Sequence, residues 1–234
     1  MKPWAFSRYV VKFTIRLILI ISPKERHRIN KLKVFEKELN LQGFFKICGV
    51  DEAGRGPLAG PVVAAAIILP KKINLKRVDD SKKVSEKNRL DIFKRLTEHE
   101  NVIYNVSIID HTIIDKINIH QASLLAMKKA VMGLKILPEY LLFDGRIHPL
   151  MTIPSKAIIN GDCKSVSIAA ASIIAKVTRD NIMNEYHQMY PNYGFNLHKG
   201  YGTEMHRKAL LEFGLCAIHR RSFEPVKILT LDFI

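Results

Sequence analysis

The sequence predicts a mixed α/β single domain whose sheet is part antiparallel and part parallel. Three observations carry this. Two strand-like stretches, Phe44–Val50 and Pro61–Pro70, flank one Gly/Pro turn. A third, Val102–Ile109, completes an early group. Helical patterns then alternate with two further strands, Glu139–Gly145 and Ser155–Asp162. Strands joined by a tight turn pair antiparallel, and strands separated by helices pair parallel.

Each element has its own signature. Val34–Phe44 holds Phe35, Leu39 and Leu41 near helical spacing and stops at Gly43, as a lead-in helix does. Phe44–Val50 is rich in strand formers, and "PVVAAAIILP" (Pro61–Pro70) reads as a buried strand. The two make a hairpin around "GVDEAGRGPLAGP" (Gly49–Pro61). Lys71–Ser85 is a basic loop, and Ser85 caps a helix that runs to Thr97. Asn118–Leu134 places Leu124, Met127 and Val131 on one helical face. The next two strands end at acids, Asp144 and Asp162. Ser165–Tyr190 is a long helix stopped by Pro191, with an Ala/Ser face able to approach a sheet closely. The loop Pro191–Gly202 leads to a helix capped by Thr203 and ended by Gly214. The tail Ala217–Leu229 is basic and partly extended. No repeat, low-complexity tract or linker interrupts this order.

The bulk numbers bound the function. A chain of 234 residues suffices for one sizeable core. The 37 Lys+Arg against 22 Asp+Glu give a net charge of +15, which favours a polyanionic partner, nucleic acid before an anionic membrane surface. Solubility alone would also account for such a charge. Cys48, Cys163 and Cys216 are odd in number and without CxxC spacing, so neither a disulfide framework nor a zinc knuckle is supported and a reducing, cytoplasmic setting is expected. The apolar run Leu17–Ile21 is too short for a signal h-region or a membrane span, and Lys12 and Arg16 break anything longer. Residues 1–33 are therefore read as a basic, hydrophobic extension of no assigned function, and residues 34–234 as one domain with a helical C-terminal region. No stable membrane association is expected, and the expected state is a monomer.

Four acids sit at element ends or turns: Asp51, Glu52, Asp144 and Asp162. In an open α/β sheet, ligands gather outside the carboxyl ends of strands. Carboxylates converging there repel one another unless cations compensate them. An all-oxygen set without histidine suits hard cations such as Mg²⁺ or Mn²⁺. Two such ions about 4 Å apart support phosphodiester hydrolysis. Taken singly, each acid has an ordinary explanation: Asp162 as a helix cap, Asp144-Gly145 as a turn. Adjacent strand residues face opposite ways, so Asp51 and Glu52 should not do the same work. Asp51 is the expected central side-chain ligand, with Glu52 acting through its carbonyl, or on water or substrate.

Next to these acids, Gly54-Arg55-Gly56 lets backbone N–H groups approach a phosphate, although the P-loop pattern is absent. A hairpin turn with a solvated arginine is the plain alternative. Ser81 and Lys82 in "DSKK" offer phosphate contacts or form a solvated loop. Tyr201 in "HKGYG" can stack on a sugar or base, or sit at the edge of a core. His198 is a proton-transfer or phosphate candidate, or a surface histidine.

Six blocks in order, "GVDEAGRGPLAGPVVAAAIIL", "DSKKVSEKNR", "FDG", "GDCKSVSIAAASIIAKVTRD", "HKGYGT" and "HRRSFEP", resemble bacterial ribonuclease HII. The resemblance spans Phe35 to Pro225 and leaves residues 1–33 outside. It implies a ribonuclease H-like fold, with a five-stranded mixed sheet flanked by helices and a C-terminal helical segment. It implies Mn²⁺- or Mg²⁺-dependent cleavage of the RNA strand of RNA–DNA hybrids, and incision 5′ of single ribonucleotides in duplex DNA. The family's four acids fall on Asp51, Glu52, Asp144 and Asp162, and its 2′-hydroxyl-reading turn on Gly54, Arg55 and Gly56. Its junction-sensing tyrosine falls on Tyr201, and its phosphate-binding pair on Ser81 and Lys82. Cys163 stands where the family pattern has a small residue. The sister enzyme ribonuclease HIII and a non-catalytic binder on the same fold are the alternatives. "GPLAGP" argues against the first and the full set of acids against the second.

Overall fold

The computed structural model describes residues 22–71, 73, 76–81 and 84–231. Its first elements are helices α1 (Pro23–Leu32) and α2 (Val34–Leu41), followed by strands β1 (Ile47–Ala53) and β2 (Val62–Ile68). Helix α3 (Glu86–Thr97), strand β3 (Ile103–Ile109) and helix α4 (His111–Met132) come next. Strands β4 (Tyr140–Asp144) and β5 (Ser155–Ile158) precede the long helix α5 (Val166–Met189). Short α6 (Phe195–His198), then α7 (Glu204–Phe213) and α8 (Val226–Leu231), complete the chain.

The five strands form one sheet in the order β3-β2-β1-β4-β5. β1 pairs antiparallel with β2, and β2 with β3, while β1–β4 and β4–β5 are parallel. This is the expected mixed sheet. Both faces are covered, so β2 is buried at all seven positions and reads as a continuous apolar run. On one face, Val50, Ala64 and Phe143 pack with Ala126 and Val131 of α4. On the other, Ala65 and Ile67 pack with Ile92 of α3 and Ala170 and Ile174 of α5. Ile29 and Leu32 of α1 join that second cluster, so a helix within residues 22–33 lies against the core. A separate apolar cluster, including Leu58, Met183, Phe195, Leu210 and Val226, ties the C-terminal helices to the far end of α5.

Three differences from the sequence reading have local causes. β1 runs on through Asp51, Glu52 and Ala53, because these residues keep pairing with Ala65, Ala64 and Val63. Helix α4 begins at His111, capped by the Asp110 carboxylate, which accepts from Thr112 and Ile113 N–H groups. It kinks at Asn118 (φ 62°), whose side chain accepts from Gln121 N–H at 3.1 Å. The helical start expected at Asn118 is thus a second cap inside a longer element. The tail is helical from Val226 rather than partly extended, with Val226 fully buried.

β1 and the start of α5 approach each other very closely. A Cβ on Gly49 would overlap the Ser167 backbone, so the small-residue face of α5 lies almost on the strand. This contact fixes the strand that carries Asp51 against the helix that follows Asp162. Gly49→Ala should therefore cost about 3 kcal/mol and lower Tm by roughly 10 °C in thermal unfolding. A Tm within about 2 °C of wild type would show that the contact yields freely.

Candidate active site

β1 and β4 run parallel as neighbours, so their carboxyl ends lie side by side and bring Asp51 and Asp144 to one end of the sheet. Asp162 arrives from the turn Gly161–Cys163 that leads into α5. The Asp144 Oδ1 accepts the Gly161 N–H at 2.6 Å, which ties the end of β4 to that turn. Gly161 has no room for a side chain: a Cβ there would press on Ile168 and on Asp144 Oδ1. The cap of α5 is Ser165, whose hydroxyl accepts from Ile168 N–H at 3.3 Å, so Asp162 is not used for capping.

Asp51 is 5% exposed. Burial pushes its carboxyl well above the usual carboxylate range, and the negative charges of Glu52, Asp144 and Asp162 push it further. The four sequence-predicted acids therefore share one electrostatic environment. Glu52 is also raised, first by burial, with Arg55 opposing and Asp144 adding to the shift. Strand alternation persists through the pair. Gly49 and Ala53 face α5 and its cluster, while Cys48 and Val50 face α4, so Asp51 and Glu52 leave β1 on opposite sides. One Glu52 oxygen pairs with Arg55 at 3.3 Å, and the other, Oε2, is buried without a hydrogen-bond partner. A buried, unpartnered carboxylate oxygen among like charges is what a cation site requires. With only oxygen donors from these four acids, the set fits a hard divalent ion.

The turn after β1 lies beside the acids. Gly54 has φ +98°, and a Cβ there would collide with the Arg179 side chain, so only glycine fits. Gly56 faces Tyr201: a Cβ at Gly56 would stand 3.7 Å from the Tyr201 ring. Tyr201 is 43% exposed and flanks the turn with its ring free on the outer side. The turn and the tyrosine, 145 residues apart in sequence from Gly56 to Tyr201, thus form one surface. Ser81 is buried, and its hydroxyl shares a 2.8 Å hydrogen bond with Ser172 of α5. Lys82 lies outside the described residues.

Several residues of the site carry no sequence prediction. Asp80 approaches Asp162 and Cys163, with one ligand-type atom of each within 4.8 Å of the others. Arg179 and Arg220 are buried beneath the turn. Arg179 falls in step with the buried Ser172, Ala175 and Met183 on α5, so an arginine on an otherwise small and apolar stripe was its available signal.

Beneath Tyr201 runs a chain of hydrogen bonds through neutral histidines. Cys216 N–H donates to His219 Nδ1 at 2.9 Å, the two Nε2 atoms of His219 and His206 are 3.0 Å apart, and His206 Nδ1 reaches the Tyr201 carbonyl at 3.0 Å. A carbonyl only accepts, so His206 carries its proton on Nδ1 and His219 on Nε2. Protonating either ring would set two N–H groups against each other. His198 stacks on His206 with centroids 4.6 Å apart and binds the Tyr193 carbonyl, so it supports the loop from inside rather than facing solvent. Burial lowers both His206 and His219 to about 4. Folded values below the ordinary 6.5 mean that their contribution to stability is present above about pH 6.5 and is lost as pH falls through about 4. Imidazole ¹⁵N spectra at pH 5 should show both rings neutral in these tautomers; titration near the ordinary histidine value would refute the chain.

Comparison with known proteins places the chain in a family. Residues 48–226 match the ribonuclease HII family model. The chain is 50% identical over 220 residues to ribonuclease HII of Desulfitobacterium hafniense, covering 94% of this chain and 82% of that one. It is 50% identical over 200 residues to ribonuclease HII of Caldanaerobacter subterraneus, covering 86% and 83%. Among solved structures, ribonuclease H2 of Pyrococcus horikoshii superposes with a TM-score of 0.68 at 27% identity, over 80% of this chain and 98% of that one. A Bst-RNase HIII structure in complex with Mn²⁺ shares the fold, with a TM-score of 0.63 at 18% identity over 80% of this chain and 70% of that one. The chain belongs to the ribonuclease HII family, and it is a ribonuclease H endonuclease.

Proposed function

We propose that this endonuclease cuts the RNA strand of RNA–DNA hybrids and incises duplex DNA on the 5′ side of single embedded ribonucleotides. Its products would carry 5′-phosphate and 3′-hydroxyl ends. The observation that supports this reading best is the electrostatic coupling of buried Asp51 to Glu52, Asp144 and Asp162, next to a surface made by Gly54-Arg55-Gly56 and Tyr201. A pure binder of a polyanion gains nothing from a buried acidic cluster at its contact surface.

The roles divide by position. Asp51, Asp144 and Asp162 would hold two divalent ions, Mn²⁺ or Mg²⁺, with Glu52 contributing its unpartnered oxygen or its carbonyl. When bound, such ions stabilise the attacking and leaving oxygens of an in-line displacement. The protein's own part is to fix the carboxylates before substrate arrives. The Gly161 N–H holds Asp144, and the Glu52 N–H holds Asp51 Oδ1 at 2.7 Å. Gly54, Arg55 and Gly56 would test the neighbouring sugar for its 2′-hydroxyl, the atom that separates RNA from DNA. Tyr201 would stack at the junction and Lys82 would take a flanking phosphate, whereas the Ser81 hydroxyl, expected to share that contact, is turned inward to Ser172. The net charge of +15 draws the polyanion to the protein, so binding should weaken steeply with salt.

Incubation with Mn²⁺ or Mg²⁺ and a DNA duplex holding one ribonucleotide tests the reading. Incision 5′ of that nucleotide, abolished by chelator, is expected. Cutting confined to long hybrids would point to the sister activity, and tight binding without cutting would remove the catalytic assignment. Tyr201→Ala should lower cleavage at a single ribonucleotide by about tenfold or more, the loss of one stacking contact. Unchanged cleavage would reduce Tyr201 to a structural residue.

A further inference from the structure

Arg179 and Arg220 are among the most deeply buried side chains of the protein, 1% and 0% exposed. Every hydrogen bond that either guanidinium makes goes to a main-chain carbonyl. Arg220 donates through Nε to Gly60 O at 2.9 Å, through Nη1 to Arg55 O at 2.9 Å, and through Nη2 to Gly54 O at 2.6 Å and Pro61 O at 3.1 Å. Arg179 donates to Pro61 O at 2.9 Å, Ala59 O at 3.2 Å and Lys199 O at 3.0 Å. Its guanidinium also lies 5.9 Å from the centroid of the Tyr201 ring. Burying two such charges is costly, and stability alone would be served better by apolar side chains of similar volume.

The consequence lies in the peptide planes. In a trans peptide the C=O and the following N–H point in opposite directions. Drawing the Gly54 and Arg55 carbonyls inward to Arg220 turns the N–H groups of Arg55 and Gly56 away from the guanidinium, and Gly56 itself borders Tyr201. Arg179 spans the two halves of that surface, because one arm holds Pro61 and Ala59 and another holds Lys199, two residues before Tyr201. Two backbone bonds close the same seam: Leu58 N–H to Gly200 O at 2.8 Å, and Gly60 N–H to Ile218 O at 2.9 Å.

We propose that Arg179 and Arg220 are positioning residues that lock the Gly54–Gly56 turn in register with Tyr201 and so set the discrimination for a single ribonucleotide over a continuous hybrid. This rests on the proposed incision at single ribonucleotides. A continuous hybrid offers a 2′-hydroxyl at every step, so a slightly displaced turn still meets one. A lone ribonucleotide offers one position and tolerates no displacement.

Arg179→Lys and Arg220→Lys keep the charge and lose the fork, since an ammonium cannot reach carbonyls spread across the turn. Each variant should lower kcat on the single-ribonucleotide duplex by about 30-fold, the loss of one or two charge-assisted hydrogen bonds. Cleavage of a long hybrid should fall by less than about fivefold, and Tm is measured alongside to confirm folding. Equal loss on both substrates, tracking Tm, would overturn the proposal, as would no loss on either. Amide hydrogen exchange supplies a reading that needs no activity. The Leu58 and Gly60 amides, bonded to Gly200 O and Ile218 O across the seam, should exchange about tenfold or more faster in each folded variant than in the wild type, while those of β2 are unchanged. Unchanged exchange at Leu58 and Gly60 in both variants would overturn the clamp. If the wild type fails to incise the single-ribonucleotide duplex, the functional reading falls, and the exchange result still decides whether the clamp exists.

Discussion

Holding the buried Asp51 carboxyl in the field of Glu52, Asp144 and Asp162 is the constraint on which the rest of the structure depends. Asp51 is buried against its own kind, and both its burial and its neighbours disfavour the charged form. Such an arrangement persists only where the surrounding chain cannot relax. Here that stiffness comes from the near-contact of Gly49 with Ser167 and from the Asp144–Gly161 hydrogen bond. The parallel pairing of β1 with β4 supplies the third restraint. Each is a packing or hydrogen-bonding feature, and each holds one acid toward the others. The strain is local, and the apolar layers on both sides of the sheet offset it.

The same logic appears with opposite sign beneath the turn. Two buried guanidiniums donate to main-chain carbonyls and lie over the Tyr201 and Phe223 rings, so the protein holds fixed positive charge under the turn without a carboxylate hydrogen-bonded to it. Arg55 is the exposed link, paired with Glu52 at the boundary. In the proposed reading, a polyanionic strand approaching this surface meets a basic protein overall, the turn, and carboxylates that would take up cations at the scissile position. The three requirements are spatially separate, and the Gly54–Gly56 segment is the hinge between them.

Much of this was legible in the sequence. Alternating strand and helix signals, with Gly/Pro stops, located all five strands and the main helices, but of the acids expected at strand ends only Asp144 ends one: Asp51 and Glu52 lie inside β1, and Asp162 lies in the turn after β5, which stops at Ile158. The opposed directions of Asp51 and Glu52 followed from strand alternation alone. Other features were not legible because they depend on contacts made across the fold. Asp110 as a cap and Asn118 as a kink divide α4 in a way that periodicity does not report. Arg220 looks like a surface arginine in a basic chain until the fold buries it, and Arg179 is marked only by its place on the small, apolar stripe of α5. The bonds from Arg220 to Gly54 and Arg55 span 166 and 165 residues. The His206–His219 contact has the same character, since neither residue lies in a recognisable ligand spacing. Asp80, inside a motif read for its serine and lysine, reaches Asp162 only in three dimensions.

The central claim is that Asp51, Glu52, Asp144 and Asp162 form one preorganised cation site, which shares Asp162 with the neighbouring Asp80–Cys163 contact. Crystals grown with Mn²⁺ and measured for anomalous scattering test it most directly. The account predicts anomalous density bounded by an Asp51 carboxylate oxygen and by oxygen from Asp144 or Asp162. Density seated on Asp80 and Cys163 with no Asp51 oxygen in contact, or none at saturating Mn²⁺, would contradict it.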